Sequence, residues 1–263
     1  MPLLICLIVI AVILGVAIAV NASSAQSSPP LSSFTIVDLT QPMSAEMPIW
    51  PGDPAYEVEP WTSYGEEGYF VHRITIGEHS GTHWGTPSTF IKGARSADKV
   101  PVEKLVMPAV IIDIRDRAGQ DPDYRLTRAD IEAWEAAHGP IPAGSIAILF
   151  TGWQARWSNP TAFINADAAG GSHWPGFSTE AAKFLIEHCQ ISALGTDTHG
   201  TDPGDTEDYG ASFAIYAADG LILECLGGLE QLPPTGATIV VGGWPVPGGS
   251  GSTARVIGLV PVR

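Results

Sequence analysis

The chain has 263 residues and a formal net charge of −15. This acidic surface repels phosphate groups and argues against general binding to nucleic acid or to anionic membranes. Hydrophobic residues make up 45% of the chain and charged residues 16%, a balance that excludes wholesale disorder. The three cysteines are too few for a disulfide scaffold. The function therefore has to come from a localised site.

The N-terminal segment is distinct from the rest of the chain. Residues 3–20 form an uninterrupted apolar run of 18 residues, which is just long enough to span a bilayer. Ser23 and Ala25 then form a small-x-small cleavage pattern. Residues 1–25 are therefore predicted to be either a cleaved signal peptide or an uncleaved membrane anchor, and residues 26–33 a linker. Either alternative makes the folded part secreted or periplasmic, or anchored facing outward.

The remaining residues, 34–263, are predicted to form one mixed α/β domain in which strands outnumber helices. Thr127 caps the first predicted helix, which Gly139 and Pro140 stop, and Ser178 caps the second, which runs through His188. Alternation of apolar and polar residues predicts that the strand at 69–76 is half-buried. The predicted strands are 34–39, 69–76, 109–114, 145–150, 191–194, 221–224, 237–241 and 254–260. Cys189 and Cys225 are predicted to be unpaired buried thiols, and the alternative is that they pair with each other in a disulfide.

A pair of histidines marks the most informative stretch of the sequence. His79 and His83 follow a predicted strand, with Gly81 between them. A glycine lets the backbone turn sharply, so both imidazoles can converge on one point, and neutral imidazole is a common ligand of zinc-like metals. The alternative is that both histidines only hydrogen-bond to the loop backbone.

The stretch from His79 to Phe90 resembles the signature of the cyclase family, which includes bacterial arylformamidases (kynurenine formamidases) and isatin hydrolases. Four other segments are similar to segments of that family and follow in the same order: 36–40, 48–53, 195–198 and 220–226. The resemblance covers about residues 34–262. The resemblance implies an α/β fold of the layered β/β/α swivelling type. It also implies a metal-dependent hydrolase that cleaves an amide-type carbon–nitrogen bond with metal-activated water, as an arylformamidase does.

The same resemblance implies a reduced metal site. His79 and His83 match two ligand positions of the family, and Glu224 matches its late ligand carboxylate. At three positions this chain lacks the polar residue of the family pattern. Gly85 stands where the family has a ligand aspartate, Thr89 where it has a histidine and Ser212 where it has a late ligand histidine. The remaining set implies one divalent ion, zinc or manganese, held by His79, His83 and Glu224.

A second polar cluster could replace the lost groups. Asp197 and His199 follow a predicted buried strand, and both are proposed as catalytic residues that handle protons. The alternatives are that Asp197 only hydrogen-bonds to loop amides and that His199 faces solvent. The acidic residues that follow are predicted to form a solvated loop: Asp202, Asp205, Glu207 and Asp208.

Two hypotheses for function therefore stand. The first is the arylformamidase-like hydrolase, acting on N-formylkynurenine or a related aryl formamide or cyclic amide. The second is a metal-free protein of the same fold that binds a small ligand or has a structural role. The expected partner is a small molecule, and tryptophans near predicted loops suit an aromatic one: Trp50, Trp84, Trp153, Trp157 and Trp174. Membrane anchoring through residues 3–20 and homo-oligomerisation are further expectations.

Overall fold

The structure, a computed structural model, describes residues 30–262. The compact unit that holds the core begins at Phe34. The predicted leader at 1–25 and the first part of the linker at 26–33 lie outside the described residues. Within residues 30–262, no helix is long and apolar enough to cross a membrane.

The main sheet closes on itself. The twelve described strands are β1 Phe34–Asp38, β2 Glu57–Thr62, β3 Val71–Thr75, β4 His83–Gly85, β5 Val106–Asp113, β6 Arg125–Leu126, β7 Ile146–Phe150, β8 Gly176–Phe177, β9 Ala193–Thr196, β10 Leu221–Glu224, β11 Thr235–Gly243 and β12 Gly251–Pro261. Eight of them form the main sheet in the order β1-β12-β11-β5-β7-β9-β10-β4, and β4 also pairs with β12. The seven strands from β12 to β4 therefore form a barrel-like ring, and β1 extends it as an outer strand on β12.

Parallel pairing of β5, β7, β9 and β10 accounts for their nearly continuous apolar sequences, because both faces of these strands are covered. Ile146 and Ile148 belong to a core cluster on one face, whereas Ala147 and Leu149 pack with the helices on the other. The α-helices among the described residues are α1 Arg115–Ala118, α2 Arg128–His138, α3 Pro160–Ile164, α4 Thr179–Glu187 and α5 Gly210–Ala217. This layered α/β architecture confirms the predicted fold class.

Local signals in the sequence placed both predicted helices correctly. The Thr127 hydroxyl accepts the Asp130 amide, and the Asp130 carboxylate accepts the Thr127 amide in return, which completes a capping box. The Ser178 hydroxyl accepts the Ala181 amide at the start of α4. Cys189 and Cys225 are both buried and free, as predicted.

The prediction of a half-buried strand at 69–76 is wrong. Among the described strands, β3 pairs only with β2, and all five of its residues are exposed. The alternation of apolar and polar residues in β3 does not correspond to a buried face, because β2 and β3 form a hairpin separate from the main sheet. The hairpin exposes large hydrophobic side chains that include Trp61, Tyr69 and Ile74.

The prediction of a solvated acidic loop is wrong for one of its members, Asp202. Asp202 is 5% exposed, and its carboxylate accepts the backbone amides of Ala211 at 2.7 Å and Ser212 at 3.1 Å. It therefore satisfies the free amides at the beginning of α5, which favour a negative charge. Helix α5 was not predicted from the sequence, because its residues are almost all apolar and show no amphipathic period.

Candidate active site

Strand β4 positions the first two groups of the site. His83 is the register partner of Glu224 on β10 and of Thr253 on β12. Directly opposed residues of antiparallel strands project to the same face, so His83 and Glu224 meet. Trp84, the next residue, projects to the opposite face into the core, where its indole nitrogen donates to Ser252 Oγ at 2.9 Å.

His83 and Glu224 form a close contact that is not an aligned hydrogen bond. Nε2 of His83 lies 2.8 Å from Oε2 of Glu224, yet this buried nitrogen has no hydrogen-bond partner within residues 30–262. Nδ1 of His83 lies 2.9 Å from the Gly81 carbonyl; because a carbonyl only accepts, Nδ1 carries a proton, and in the neutral ring Nε2 holds the lone pair. A lone pair and a carboxylate at this distance repel unless a cation, either a proton or a metal ion, accompanies them.

The charges at this pair act on both pKa values. Burial by itself lowers the pKa of His83, but the Glu224 carboxylate, the Gly81 carbonyl and the charge of Asp53 together outweigh burial, and the net direction is upward. Burial raises the pKa of Glu224, but the three neighbouring histidines outweigh it and the net direction is downward. The site therefore favours an ionised carboxylate with positive charge beside it.

His79 lies beside this pair, with its ring centroid 5.2 Å from that of His83. Its Nε2 is 2.8 Å from Ser250 Oγ, and Ser250 donates its own hydroxyl proton to Glu78 Oε2 at 2.7 Å. Ser250 must then accept from His79, so Nδ1 of His79 holds the lone pair. Burial, followed by the charge of His83, lowers the pKa of His79 to about 4; the ring is therefore neutral at neutral pH.

His199 faces the same site and not solvent. It is 3% exposed, and its buried Nε2 has no hydrogen-bond partner among the described residues. Its ring packs against Trp50, with centroids 5.3 Å apart, and against Phe163 at 6.0 Å. Burial, followed by the charge of His83, lowers its pKa to about 4. His199 is thus a neutral imidazole with a free nitrogen in the pocket.

Asp197, the other proposed proton-handling residue, lies outside the pocket lining. Its carboxylate accepts the Thr151 amide at 2.9 Å, the Thr151 hydroxyl at 2.8 Å and the Gln154 amide at 3.1 Å. The side chain is fully buried and holds the loop after β7. These contacts match the structural alternative for Asp197, in which its carboxylate hydrogen-bonds to loop amides, and its catalytic role stays a prediction.

The site opens into a cavity of about 300 Å³. Polar groups lie at one end, and aromatic rings form much of the wall. The polar side chains in the lining include His79, His83, His199, Glu224, Ser212 and Thr89. The aromatic ones are Trp50, Phe90, Trp174, Tyr209 and Tyr216. The sequence predicted the polar end of the site but not Tyr209 and Tyr216, because α5 was not predicted.

At the three positions that lack the polar residue of the family, two side chains make local hydrogen bonds and the third space is occupied by a neighbouring side chain. The Thr89 hydroxyl donates to the Thr86 carbonyl at 2.7 Å. The Ser212 hydroxyl donates to the Asp202 carboxylate. At Gly85, a Cβ would overlap the Tyr216 hydroxyl. Thr89 and Ser212 therefore both donate their hydroxyl protons to neighbouring protein groups.

The donor chemistry fits a divalent ion at His83 and Glu224. Both are buried or nearly so, and Nε2 of His83 lacks a hydrogen-bond partner in the part of the chain that the structure describes. Imidazole with carboxylate is a ligand set that zinc accepts. Across residues 30–262, however, no three His, Cys, Asp or Glu side chains are grouped closely enough to form a metal centre. The structure brings together His83 and Glu224, and the three-residue set with His79 stays a prediction.

Comparison with known proteins assigns the chain to a family. The Cyclase family model matches residues 37–203. This chain belongs to the cyclase family. An isatin hydrolase from Roseibium aggregatum is 32% identical over 243 residues, which cover 86% of this chain and 92% of that protein. A kynurenine formamidase from Sphingopyxis alaskensis is 27% identical over 203 residues, or 76% of this chain and 85% of that one.

The structural comparison agrees. The structure of isatin hydrolase A from Ralstonia solanacearum superposes with a TM-score of 0.84 at 31% identity and covers 90% of this chain and 100% of the other. The predicted family is therefore confirmed, and so is the predicted enzyme class, because these cyclase-family relatives are hydrolases of amide-type carbon–nitrogen bonds.

Proposed function

We propose that this cyclase-family protein hydrolyses the carbon–nitrogen bond of a small aromatic amide, with a cyclic aryl amide such as isatin as the first candidate and an aryl formamide as the second. The observation that carries the proposal is the unaligned 2.8 Å contact of His83 and Glu224 at the end of an aromatic-walled cavity. The similarity to isatin hydrolases in sequence and structure is the reason that a cyclic aryl amide is placed before an aryl formamide as the candidate substrate.

The cavity suits a small, flat substrate. Its volume of about 300 Å³ is at the lower end of the range for ligand sites. Trp50 and Trp174 meet edge to face, with centroids 5.5 Å apart, and Phe90 contributes a further ring to the lining. Aromatic side chains bind a flat ring through offset and edge contacts. The wall therefore favours an aryl group, with the amide carbonyl directed to the polar end.

The reaction requires water to attack the carbonyl carbon, the carbon–nitrogen bond to break, and one proton to reach the departing nitrogen. In the proposed mechanism, His83 and Glu224 bind and orient the attacking water. His199 accepts a proton at its free Nε2 and returns it to the nitrogen. Because burial lowers the pKa of His199 to about 4, its ring is neutral before the reaction and can accept a proton.

A divalent ion, zinc or manganese, would be held by His79, His83 and Glu224 in this proposal. The chemistry that such an ion supplies when bound is polarisation of a carbonyl and a lower pKa for the attacking water. The fit rests on the unpartnered nitrogen of His83 and the ionised carboxylate beside it.

The test uses the full chain with isatin and an aryl formamide, each assayed by ultraviolet absorbance with zinc, with manganese and with chelator. The proposal expects turnover of at least one substrate, lost in His83→Gln. His138→Gln is the matched control, because His138 is exposed in the last turn of α2. No turnover of either substrate under any of these conditions would overturn the proposal.

A second candidate is a ligand-binding protein that works without a metal. It is favoured by the three lost positions, which internal hydrogen bonds or the Tyr216 hydroxyl now fill. Elemental analysis of the purified chain and of His83→Ala discriminates between the two. About one zinc or manganese per chain, absent from the variant, supports the hydrolase. No metal in either protein after incubation with both ions supports the binding protein.

The location proposed for either activity is outside the cytoplasm, either free or anchored facing outward. It is supported only by the apolar run at residues 3–20 and the small-residue pattern that follows it. Fractionation of cells that express the full chain tests this location.

A further inference from the structure

Gly85 and Tyr216 share one small space in the cavity. A Cβ at position 85 would overlap the Tyr216 hydroxyl oxygen, and it would lie 3.3 Å from His79 Cε1 and 3.6 Å from Thr89 Oγ1. The hydroxyl of Tyr216 thus occupies the point where any side chain of residue 85 would begin. Because β4 is paired on both sides, the backbone at Gly85 has little freedom to move away.

Helix α5 fixes Tyr216 in this position. The Asp202 carboxylate binds the amides at the start of α5, and Ser212 and Tyr216 are four residues apart, so they lie on the same face of the helix. Both belong to the cavity lining. The Tyr216 ring is 4% exposed and meets Phe90 edge to face, with centroids 5.8 Å apart.

The Tyr216 hydroxyl is protonated at neutral pH. Burial, and then the nearby negative charge of Glu224, raise its pKa far above the ordinary range. A phenol that keeps its proton is a poor metal ligand but a good hydrogen-bond donor. It differs in this respect from the carboxylate that the family resemblance implies at position 85.

Resting on the proposed hydrolase function, we propose that Tyr216 is a substrate-contacting residue whose hydroxyl, in the space left by Gly85, donates a hydrogen bond to the substrate's carbonyl oxygen. That oxygen gains negative charge when water attacks the carbonyl carbon. A fixed hydrogen-bond donor therefore stabilises the transition state more than it stabilises the bound substrate. The donor thereby adds to catalysis beyond binding.

The first test is a double-mutant cycle on thermal unfolding, which does not depend on turnover. Gly85→Ala adds the single Cβ that overlaps the hydroxyl, so we expect a Tm several degrees below that of the parent. Tyr216→Phe removes the oxygen, so Gly85→Ala is expected to cost much less in the Tyr216→Phe background. Equal costs in both backgrounds would show that the hydroxyl does not occupy this space and would overturn the proposal.

The second test separates kcat from KM with isatin. We expect Tyr216→Phe to lower kcat by about 100-fold, the size found for one oxyanion donor, with KM within about threefold of the parent. Tyr69→Phe is the control, because Tyr69 is 54% exposed before β3. A kcat within twofold of the parent in Tyr216→Phe would overturn the donor role.

If the parent turns over no amide, the hydrolase proposal fails, and calorimetric binding of the ring-opened product carboxylate, isatinate, decides the role of Tyr216. An affinity at least tenfold lower in Tyr216→Phe supports contact with the ligand oxygen. Equal affinity, or no binding to either protein, overturns it.

Discussion

His83 and Glu224 are joined by strand register: each is the direct cross-strand partner of the other on β4 and β10. The backbone pairing therefore fixes the contact of an imidazole nitrogen with a carboxylate oxygen at 2.8 Å. A site built on paired strands is more precise than one built on loops.

Glu224→Gln tests what the charge of this pair does. The amide keeps the shape of the side chain but removes the negative charge that a cation would compensate. We expect the affinity for zinc or manganese, measured by calorimetry, to fall by at least about 10- to 100-fold, and hydrolysis to fall with it. Glu187→Gln, an exposed carboxylate at the end of α4, is the control. Unchanged ion affinity in Glu224→Gln would remove Glu224 from the metal set.

Trp50→Leu tests the aromatic wall. Trp50 packs between Trp174 and His199 in the lining, and loss of an aromatic contact costs about 0.5–1.5 kcal/mol. We expect KM for isatin to rise by about 3- to 10-fold while kcat changes less. Trp244→Leu removes a tryptophan that is 56% exposed outside this cavity and should leave KM as in the parent. Equal effects of the two substitutions would argue against an aryl-binding wall.

The pH dependence of stability tests the environment of His199. Its pKa is lowered by burial to about 4 in the folded state, against about 6.5 for a histidine in an unfolded chain. Between these two values the unfolded chain binds the proton and the folded chain does not, so this group makes the protein less stable as pH falls. Above the unfolded value its contribution is constant.

Urea unfolding at pH 7 and pH 5 measures this effect. We expect the loss of stability on acidification to be smaller in His199→Phe than in the parent, whereas His138→Gln should behave as the parent does. The raised pKa of His83 contributes in the opposite direction in all three proteins. An identical pH dependence in His199→Phe would contradict the buried neutral state of His199.

Asp202→Ala tests the start of α5. The substitution leaves two buried amides without their acceptor, and loss of such a cap costs about 0.5–2 kcal/mol. We expect the free energy of unfolding to fall by about that amount and the ring of Tyr216 to lose its fixed position. Glu207→Ala, an exposed neighbour in the same acidic segment, should have little effect. Equal free energies of unfolding for the two variants would show that Asp202 does not stabilise α5 and would favour the solvated loop predicted from the sequence.

Local patterns in the sequence predicted much of the fold. The apolar runs of β5, β7 and β10 and the caps at Thr127 and Ser178 are decided by residues close together in the chain, so their signals survive in a single sequence. The strand β3 was found but its burial was not, because burial depends on what packs against a strand. Helix α5 was missed, because a helix that is apolar on nearly all sides has no period to detect.

The sequence by itself determined the family and the types of residue at the polar end of the site: two imidazoles four residues apart, a late carboxylate and a third histidine. Tertiary structure decided which of them meet. Pairing of β4 with β10 put His83 on Glu224, hydrogen bonds joined Asp197 to the loop after β7, and α5 brought Tyr216 to Gly85. Residues 85 and 216 are far apart in the chain, and only closure of the sheet and packing of the helix bring them into contact.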